Sequence, residues 1–365
     1  MTARADTADY RQLFLADTPM MDVRAPVEFA AGAFPGTASL PLMTDEERAK
    51  VGTRYKQAGQ AAAIELGHAL VSGDTKAERV AAWKSFAQSH PTGYLYCFRG
   101  GLRSRTVQQW LHEAGVDYPL VTGGYKAMRR FLIDELARLL ERTGIVLIGG
   151  RTGVGKTRVI DRLSHAVDLE GAANHRGSAF GHLVEPQPSQ IDFENRITIA
   201  LMKLVAGGCS QVYLEDEGQL IGRLSLPEAL RKQMAQASLV IVDEPLESRV
   251  QAVLEDYIED LGARFYKHFG DSGPQHHRQR LQSDLLRIRK RLGGAMQQSL
   301  SVIMDDAFDA QEASGDTEGH RSWIRALLAD YYDPMYDYQL SKREGRRLFT
   351  GTRDEVVEWV QARPI

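Results

Sequence analysis

The sequence predicts an α/β protein of two parallel-sheet domains, the second carrying a helical, basic C-terminal part. Three observations carry this expectation. Short apolar runs alternate with helix-period patterns through the first third of the chain. A strand-length run delivers Cys97 into a glycine-rich loop. A second apolar run enters a phosphate-loop motif at residues 150–157. With 365 residues the chain is long for one domain of ~100–200 residues. The expected divisions are 1–130, a linker helix at 131–143, and 144–365.

The elements follow in order. Residues 18–23 and 38–41 read as short strands, and 60–70 and 75–88 as helices. Residues 93–97 have a buried-strand pattern, 104–114 a helical one, and 118–121 form another short strand. Phe131, Leu132, Leu136, Leu139 and Leu140 fall on one stripe of a helix over 126–141. In the second domain strands are expected at 144–148, 166–169, 211–214 and 239–242. A helix is expected over 158–163, and from Pro245 onward the chain turns helical and more charged.

Composition narrows the class. Hydrophobic residues make up 43% and charged residues 25%, enough for an ordinary core. Net charge is −3, so any polyanion site has to come from local clustering. Two cysteines, Cys97 and Cys209, exclude a disulfide scaffold and a four-cysteine zinc site. The opening MTARADTADYRQLF has no apolar run, so no signal peptide is expected. No apolar stretch reaches the ~18–20 residues of a membrane span. The expectation is a cytoplasmic protein without a membrane partner, in which a free thiol persists.

The first candidate site is Cys97-Phe98-Arg99-Gly100-Gly101-Leu102-Arg103-Ser104. Two glycines let successive N–H groups turn inward as an anion nest. The helix that follows adds its positive end, and Arg99 and Arg103 add two cations. Each favours a thiolate at Cys97, the form that attacks sulfur, selenium or phosphorus. Cys209 has no basic neighbours and reads as a packing residue.

The second is Gly150-Arg151-Thr152-Gly153-Val154-Gly155-Lys156-Thr157, between a strand and a helix. Backbone N–H groups from Gly150, Thr152, Gly153 and Gly155 cradle phosphate, Lys156 neutralises it, and Thr157 can hold Mg²⁺. Glu215, Asp216 and Glu217 end another strand and either assist Mg²⁺ or form a solvated acidic turn. His175, Arg176 and Ser178 lie in a glycine-bounded loop at a strand end, where α/β sheets bind ligands. No metal site is certain from the sequence, and no tightly bound cofactor is expected.

Asp22-Val23-Arg24-Ala25-Pro26-Val27-Glu28-Phe29, Gly32-Ala33-Phe34-Pro35-Gly36-Thr37-Ala38 and Gly123-Gly124-Tyr125 make residues 10–130 resemble the rhodanese family. In that signature Asp22, Arg24 and Glu28 are structural. Five residues separate Cys97 from Arg103, one more than in ordinary rhodaneses, which suits phosphate or a larger chalcogen donor. Tyr96 stands where phosphatase relatives carry histidine. Joined to the phosphate loop, His-Arg-Gly-Ser-Ala-Phe-Gly, Glu-Asp-Glu and the segment 331–338 (YYDPMYDY), nearly the whole chain resembles the tRNA 2-selenouridine synthase family. The resemblance implies an enzyme, a transferase that geranylates wobble 2-thiouridine with geranyl diphosphate. It then replaces the geranylthio group with selenium from selenophosphate. It implies Cys97 as the essential residue, with Phe98, Arg99, Gly100, Gly101, Arg103 and Ser104 holding the donor.

The implied partners are the tRNA anticodon region and a selenophosphate-producing enzyme. Lys267, Arg287, Arg289, Lys290, Arg291, Arg346 and Arg347 are candidate phosphate contacts, though 285–292 also reads as a solvated helix face. Two rival readings stand beside this one: a rhodanese-type phosphatase fused to a P-loop small-molecule kinase, and an NTP-regulated RNA-binding protein.

Overall fold

The structure is a computed structural model and describes residues 4–363. The chain forms two compact units: Met1–Leu139 with Ser189–Ala206, and Leu140–Pro188 with Gly207–Ile365.

The first unit is built on three parallel strands. Strand β1 (Met20–Asp22) lies between β2 (Thr37–Ser39) and β3 (Tyr94–Tyr96). Leu120 bridges in parallel to Leu95 and Val121 to Thr7, so residues 118–121 contribute two isolated bridges rather than a full strand. Met20, Met21, Leu95 and Tyr96 are buried, which is why short apolar runs suffice for these strands. The helix Asp45–Leu70 starts at a capping box, with Thr44 accepting from the Glu47 N–H and Glu47 accepting from the Thr44 N–H. It breaks at Gly59, whose φ is 81°. Helices Gly73–Ser89 and Leu102–Glu113 enclose a core of Met21, Trp83, Leu95, Val107, Trp110 and Leu111 around Cys97. The helix Gln190–Ala206 completes this unit: Asn195 donates to the Ala33 carbonyl at 2.7 Å.

The second unit holds a five-stranded parallel sheet. Its strands are β4 (Gly144–Gly149), β5 (Ala166–Val167), β6 (Gln211–Glu215), β9 (Ser238–Val242) and β10 (Arg347–Gly351). The order is β10-β9-β4-β6-β5, so β4 is central. A small antiparallel hairpin, β7 (Leu220–Ile221) with β8 (Leu224–Ser225), stands apart from it. Residues 145–148 are all buried, as a strand covered on both faces requires.

Three sequence expectations change here. Strand β5 stops at Val167, because Asp168 caps a helix at Leu169–Ala172 by accepting from the Gly171 N–H. The helix after the phosphate loop is short, Lys156–Ile160. The stretch after Pro245 is not wholly helical, since Arg347–Gly351 pairs with β9 as an edge strand. Its exposed Arg347 and Leu348 hide the strand pattern, and Phe349 alone packs inward, stacked on Trp359 at 5.4 Å.

The other helices pack Val250, Leu254, Ile258, Phe265, Leu281, Met304, Trp323 and Leu327 into a separate core. Two segments, Glu255–Asp260 and Leu327–Tyr332, wind as π-helix, a form that concentrates at functional sites. Among the described residues no helix is long and apolar enough to cross a membrane.

Candidate active site

Cys97 sits at the end of β3 and is 3% exposed. The loop after it is clamped from its carbonyl side. Tyr125 N–H donates to the Cys97 carbonyl and Lys126 N–H to the Phe98 carbonyl, both at 2.9 Å. Gly124 makes this approach possible. Its φ is 58°, and a Cβ there would lie 2.3 Å from the Cys97 oxygen. Gly100 is left-handed at φ 62°, and Gly101 stands at the N-cap of Leu102–Glu113. Phe98 stacks on Tyr125 at 6.1 Å, and Arg99 is exposed. Arg103 donates to both carboxylate oxygens of Glu28, at 2.6 and 3.2 Å. Burial works against the Glu28 charge, but the Arg103 partnership outweighs it and holds its pKa below the usual range. Ser104 is buried, and its hydroxyl has no hydrogen-bond partner among the described residues. Arg24 and Asp22 form a buried bidentate pair, with Arg24 also donating to the Gly32 carbonyl at 2.8 Å. They hold the β1 end together, the structural part that the sequence assigned them.

The phosphate loop leaves β4 at the carboxyl edge of the sheet, where parallel strands place ligand crevices. Gly150, Gly153 and Gly155 have φ of 145°, 81° and 77°. A Cβ on Gly150 would meet the Val242 carbonyl at 2.4 Å. The loop borders a cleft of about 420 Å³ that is also lined by Lys156, Thr157, Glu170, His175, Arg176, Ser178, Tyr257 and Tyr336. Burial disfavours the Lys156 ammonium, yet Tyr336, Glu217, Glu170 and Asp216 outweigh it and raise its pKa. Burial, and then the charge of Glu170, pushes Glu217 up to about 8 against the pull of Lys156. Glu215 is fully buried, accepts from the Leu169 N–H at 2.7 Å, and has a pKa raised chiefly by burial. Asp216 forms an ion pair with Arg343.

Glu170, which the sequence reading passed over, is the organising carboxylate. It accepts from the Thr157 hydroxyl at 3.0 Å and from the Gly177 N–H at 2.7 Å. It therefore ties the phosphate loop to the 175–181 loop. Its place just past β5 was the available signal. Arg249 was also missed: it is buried, donates to the Thr152 carbonyl at 3.0 Å and forms a bidentate pair with Asp333. Nothing local in its helix, Leu246–Leu254, marked it.

The remaining candidates divide. Ser178 shares a 2.7 Å hydrogen bond with the Tyr257 hydroxyl at the cleft. Arg176 is committed to Asp256 and Asp260, both at 2.8 Å. His175 is buried, with neither ring nitrogen partnered among the described residues, and burial lowers its pKa. Lys267, Arg289, Lys290, Arg291 and Arg347 are exposed, whereas Arg287 pairs with Asp284 at 2.6 Å. Arg346 donates to the Ala235 and Ala237 carbonyls and so braces the fold.

Thr157 with nearby carboxylates is an oxygen donor set of the hard kind that Mg²⁺ takes, completed by phosphate oxygens and water. Among the described residues no group of three or more His, Cys, Asp or Glu forms a cation site of its own.

A central parallel strand feeding G-x-x-x-x-G-K-T, ringed by strand-end carboxylates, defines a P-loop protein. A family profile described as the tRNA 2-selenouridine synthase AAA domain matches residues 143–364. Proteins named tRNA 2-selenouridine synthase match along the whole chain. The one from Marinobacter nauticus is 55% identical, covering 100% of this chain and 99% of its own. That from Azotobacter vinelandii is 55% identical, covering 98% and 97%. That from Pseudomonas fluorescens Pf0-1 is 53% identical, covering 98% of each. The chain belongs to the tRNA 2-selenouridine synthase family, enzymes that act on tRNA.

Proposed function

We propose that this protein converts wobble 2-thiouridine in the tRNA anticodon to 2-selenouridine in two transfers. In the first, the thiouridine sulfur attacks C1 of geranyl diphosphate. A C–S bond forms, the C–O bond to diphosphate breaks, and the N3 proton leaves to solvent. In the second, the selenium of selenophosphate attacks C2 of the base. The C2–S bond breaks and geranylthiolate leaves. Water then cleaves the Se–P bond, giving phosphate and returning a proton to N3. The first transfer turns a poor leaving group into a better one.

The supporting observation is the presence, in one chain of this family, of a cysteine on a glycine- and arginine-rich loop together with a phosphate loop. The first unit reads as rhodanese-like. Its Cys97 loop receives the selenium donor, with loop N–H groups, Arg99 and Arg103 toward the phosphoryl oxygens, and the Cys97 thiolate takes the proton of the water that cleaves the Se–P bond and passes it to N3. The phosphate loop takes the diphosphate: its N–H groups and Lys156 bind the oxygens, and Thr157 with Glu170 would hold Mg²⁺. That ion, when bound, neutralises charge developing on the diphosphate. Exposed Lys267, Arg289, Lys290 and Arg291 supply RNA phosphate contacts. A selenophosphate-producing enzyme is the natural supplier.

The test is mass spectrometry of nucleosides from 2-thiouridine tRNA incubated with the protein, geranyl diphosphate and selenophosphate, each omitted in turn. The reading expects a geranylated nucleoside without selenophosphate and a selenonucleoside when it is added. Unchanged nucleosides in every arm, with turnover of simple phosphoesters, would transfer the assignment to the phosphatase–kinase alternative.

A further inference from the structure

A cleft of about 790 Å³ in the first unit lies between the helix Asp45–Leu70 and the start of Leu102–Glu113. Neither the cysteine chemistry nor the phosphate loop accounts for it. Its floor is apolar: Met43, Val51, Ala63, Ile64, Val71 and Trp110. Met43, Val71 and Trp110 belong to the same buried cluster as Cys97. Its rim is cationic: Arg48, Lys56, Arg99 and Arg103 line it, with no carboxylate among the lining residues. Glu28 engages Arg48 and Arg103, while Lys56 and Arg99 are exposed and Arg99 belongs to the Cys97 loop itself. An apolar floor under a cationic rim matches a ligand with a bulky hydrocarbon group attached to a polyanion. The volume falls within the ~300–1,000 Å³ of small-molecule pockets, ample for a branched chain of about ten carbons.

We propose that this cleft is the leaving-group pocket of the second transfer. It buries the geranyl chain of S-geranyl-2-thiouridine while Arg48 and Lys56 of the rim face the RNA phosphates and Arg99 and Arg103 stay with the selenium donor. This inference rests on the two-transfer reading and deepens it. The step it serves is the one written above: the C2–S bond breaks and the sulfur departs with its chain. Burying the chain fixes the departing sulfur beside the Cys97 loop, where the donor is held. It also gives the enzyme a reason to prefer a long alkyl group over a short one that would leave equally well.

The experiment supplies synthetic tRNA carrying either S-geranyl- or S-methyl-2-thiouridine, with selenophosphate, to wild-type protein and to Ile64→Asp and Val51→Asp. Geranylation of 2-thiouridine tRNA by each variant serves as the folding control. The expected result is that wild-type protein selenates the S-geranyl substrate at least about tenfold faster than the S-methyl one at limiting concentration, the scale of hydrophobic-pocket discrimination. Both variants should lose that preference through KM while still geranylating. Equal rates on both substrates in wild-type protein, or an undiminished preference in both variants, would overturn the pocket assignment. Failure of wild-type protein to selenate either substrate would instead remove the two-transfer reading itself.

Discussion

Replacing Arg249 with methionine tests how the phosphate loop is held. Arg249 is 1% exposed, and its partner Asp333 has a side chain 19% exposed. Its Nε–H supports the Thr152 carbonyl and its two terminal nitrogens hold Asp333. Removing one member of a buried pair costs about 3–5 kcal/mol, because the other charge is left without compensation. Partial solvation of Asp333 lowers that to about 2–3 kcal/mol, and the unsupported Thr152 carbonyl adds about 1 kcal/mol. The expected loss is therefore about 3–4 kcal/mol in the unfolding of the second unit. The surface cluster of Arg278 with Asp305 and Asp309, with side chains 29%, 42% and 65% exposed, provides the comparison. Its loss in Arg278→Met should cost at most about 1 kcal/mol. Urea unfolding of the two variants measures the difference. Arg249→Met combined with Asp333→Leu should recover part of the loss, since two apolar groups leave no buried charge behind. Equal midpoints for Arg249→Met and Arg278→Met would refute the reasoning.

Other outcomes follow from the same geometry. Gly124→Ala places a methyl 2.3 Å from the Cys97 carbonyl at a φ of 58°. It should disorder the Cys97 loop and destabilise the first unit by about 2 kcal/mol or more, read by thermal unfolding. Glu217 has a pKa raised from 4.5 to about 8, so folding favours its protonated form. Its contribution to stability is full below 4.5 and is lost as pH rises through about 8. Wild-type stability should thus fall between roughly pH 5 and 9 more steeply than that of Glu217→Gln, in unfolding measured across that range. Glu170→Ala removes the tie between Thr157 and Gly177 and should weaken diphosphate binding about tenfold by calorimetry.

Much of this architecture is legible in the sequence, for physical reasons. A central parallel strand is buried on both faces and must read as an apolar run, so β4 announces itself at Ile145, Val146, Leu147 and Ile148. The phosphate loop needs glycines at strained positions and a lysine at a fixed offset, so its spacing is rigid. The Cys97 loop is visible because a strand, two glycines and two arginines fall within a few residues. What escaped depends on distance in the chain. The helix Gln190–Ala206 joins the first unit through Asn195 and Ala33, 162 positions apart, and no local pattern encodes that return. Arg249 and Asp333 meet across 84 positions. Edge strand β10 has one half-buried aromatic and two exposed residues before it, too little alternation to distinguish it from a basic loop. Arg346 looked like a phosphate contact because its carbonyl partners, Ala235 and Ala237, carry no signal in their side chains.

The central claim is a division of labour between the two phosphate-handling loops. Nucleoside mass spectrometry of Cys97→Ala and Lys156→Ala, each given 2-thiouridine tRNA with both co-substrates and, separately, S-geranyl tRNA with selenophosphate, tests it most directly. The account predicts that Cys97→Ala accumulates the geranylated nucleoside and makes no selenouridine from either tRNA. It predicts that Lys156→Ala leaves 2-thiouridine untouched yet still selenates the S-geranyl tRNA. Full selenation by Cys97→Ala, or loss of both transfers together in Lys156→Ala protein that is folded, would contradict it.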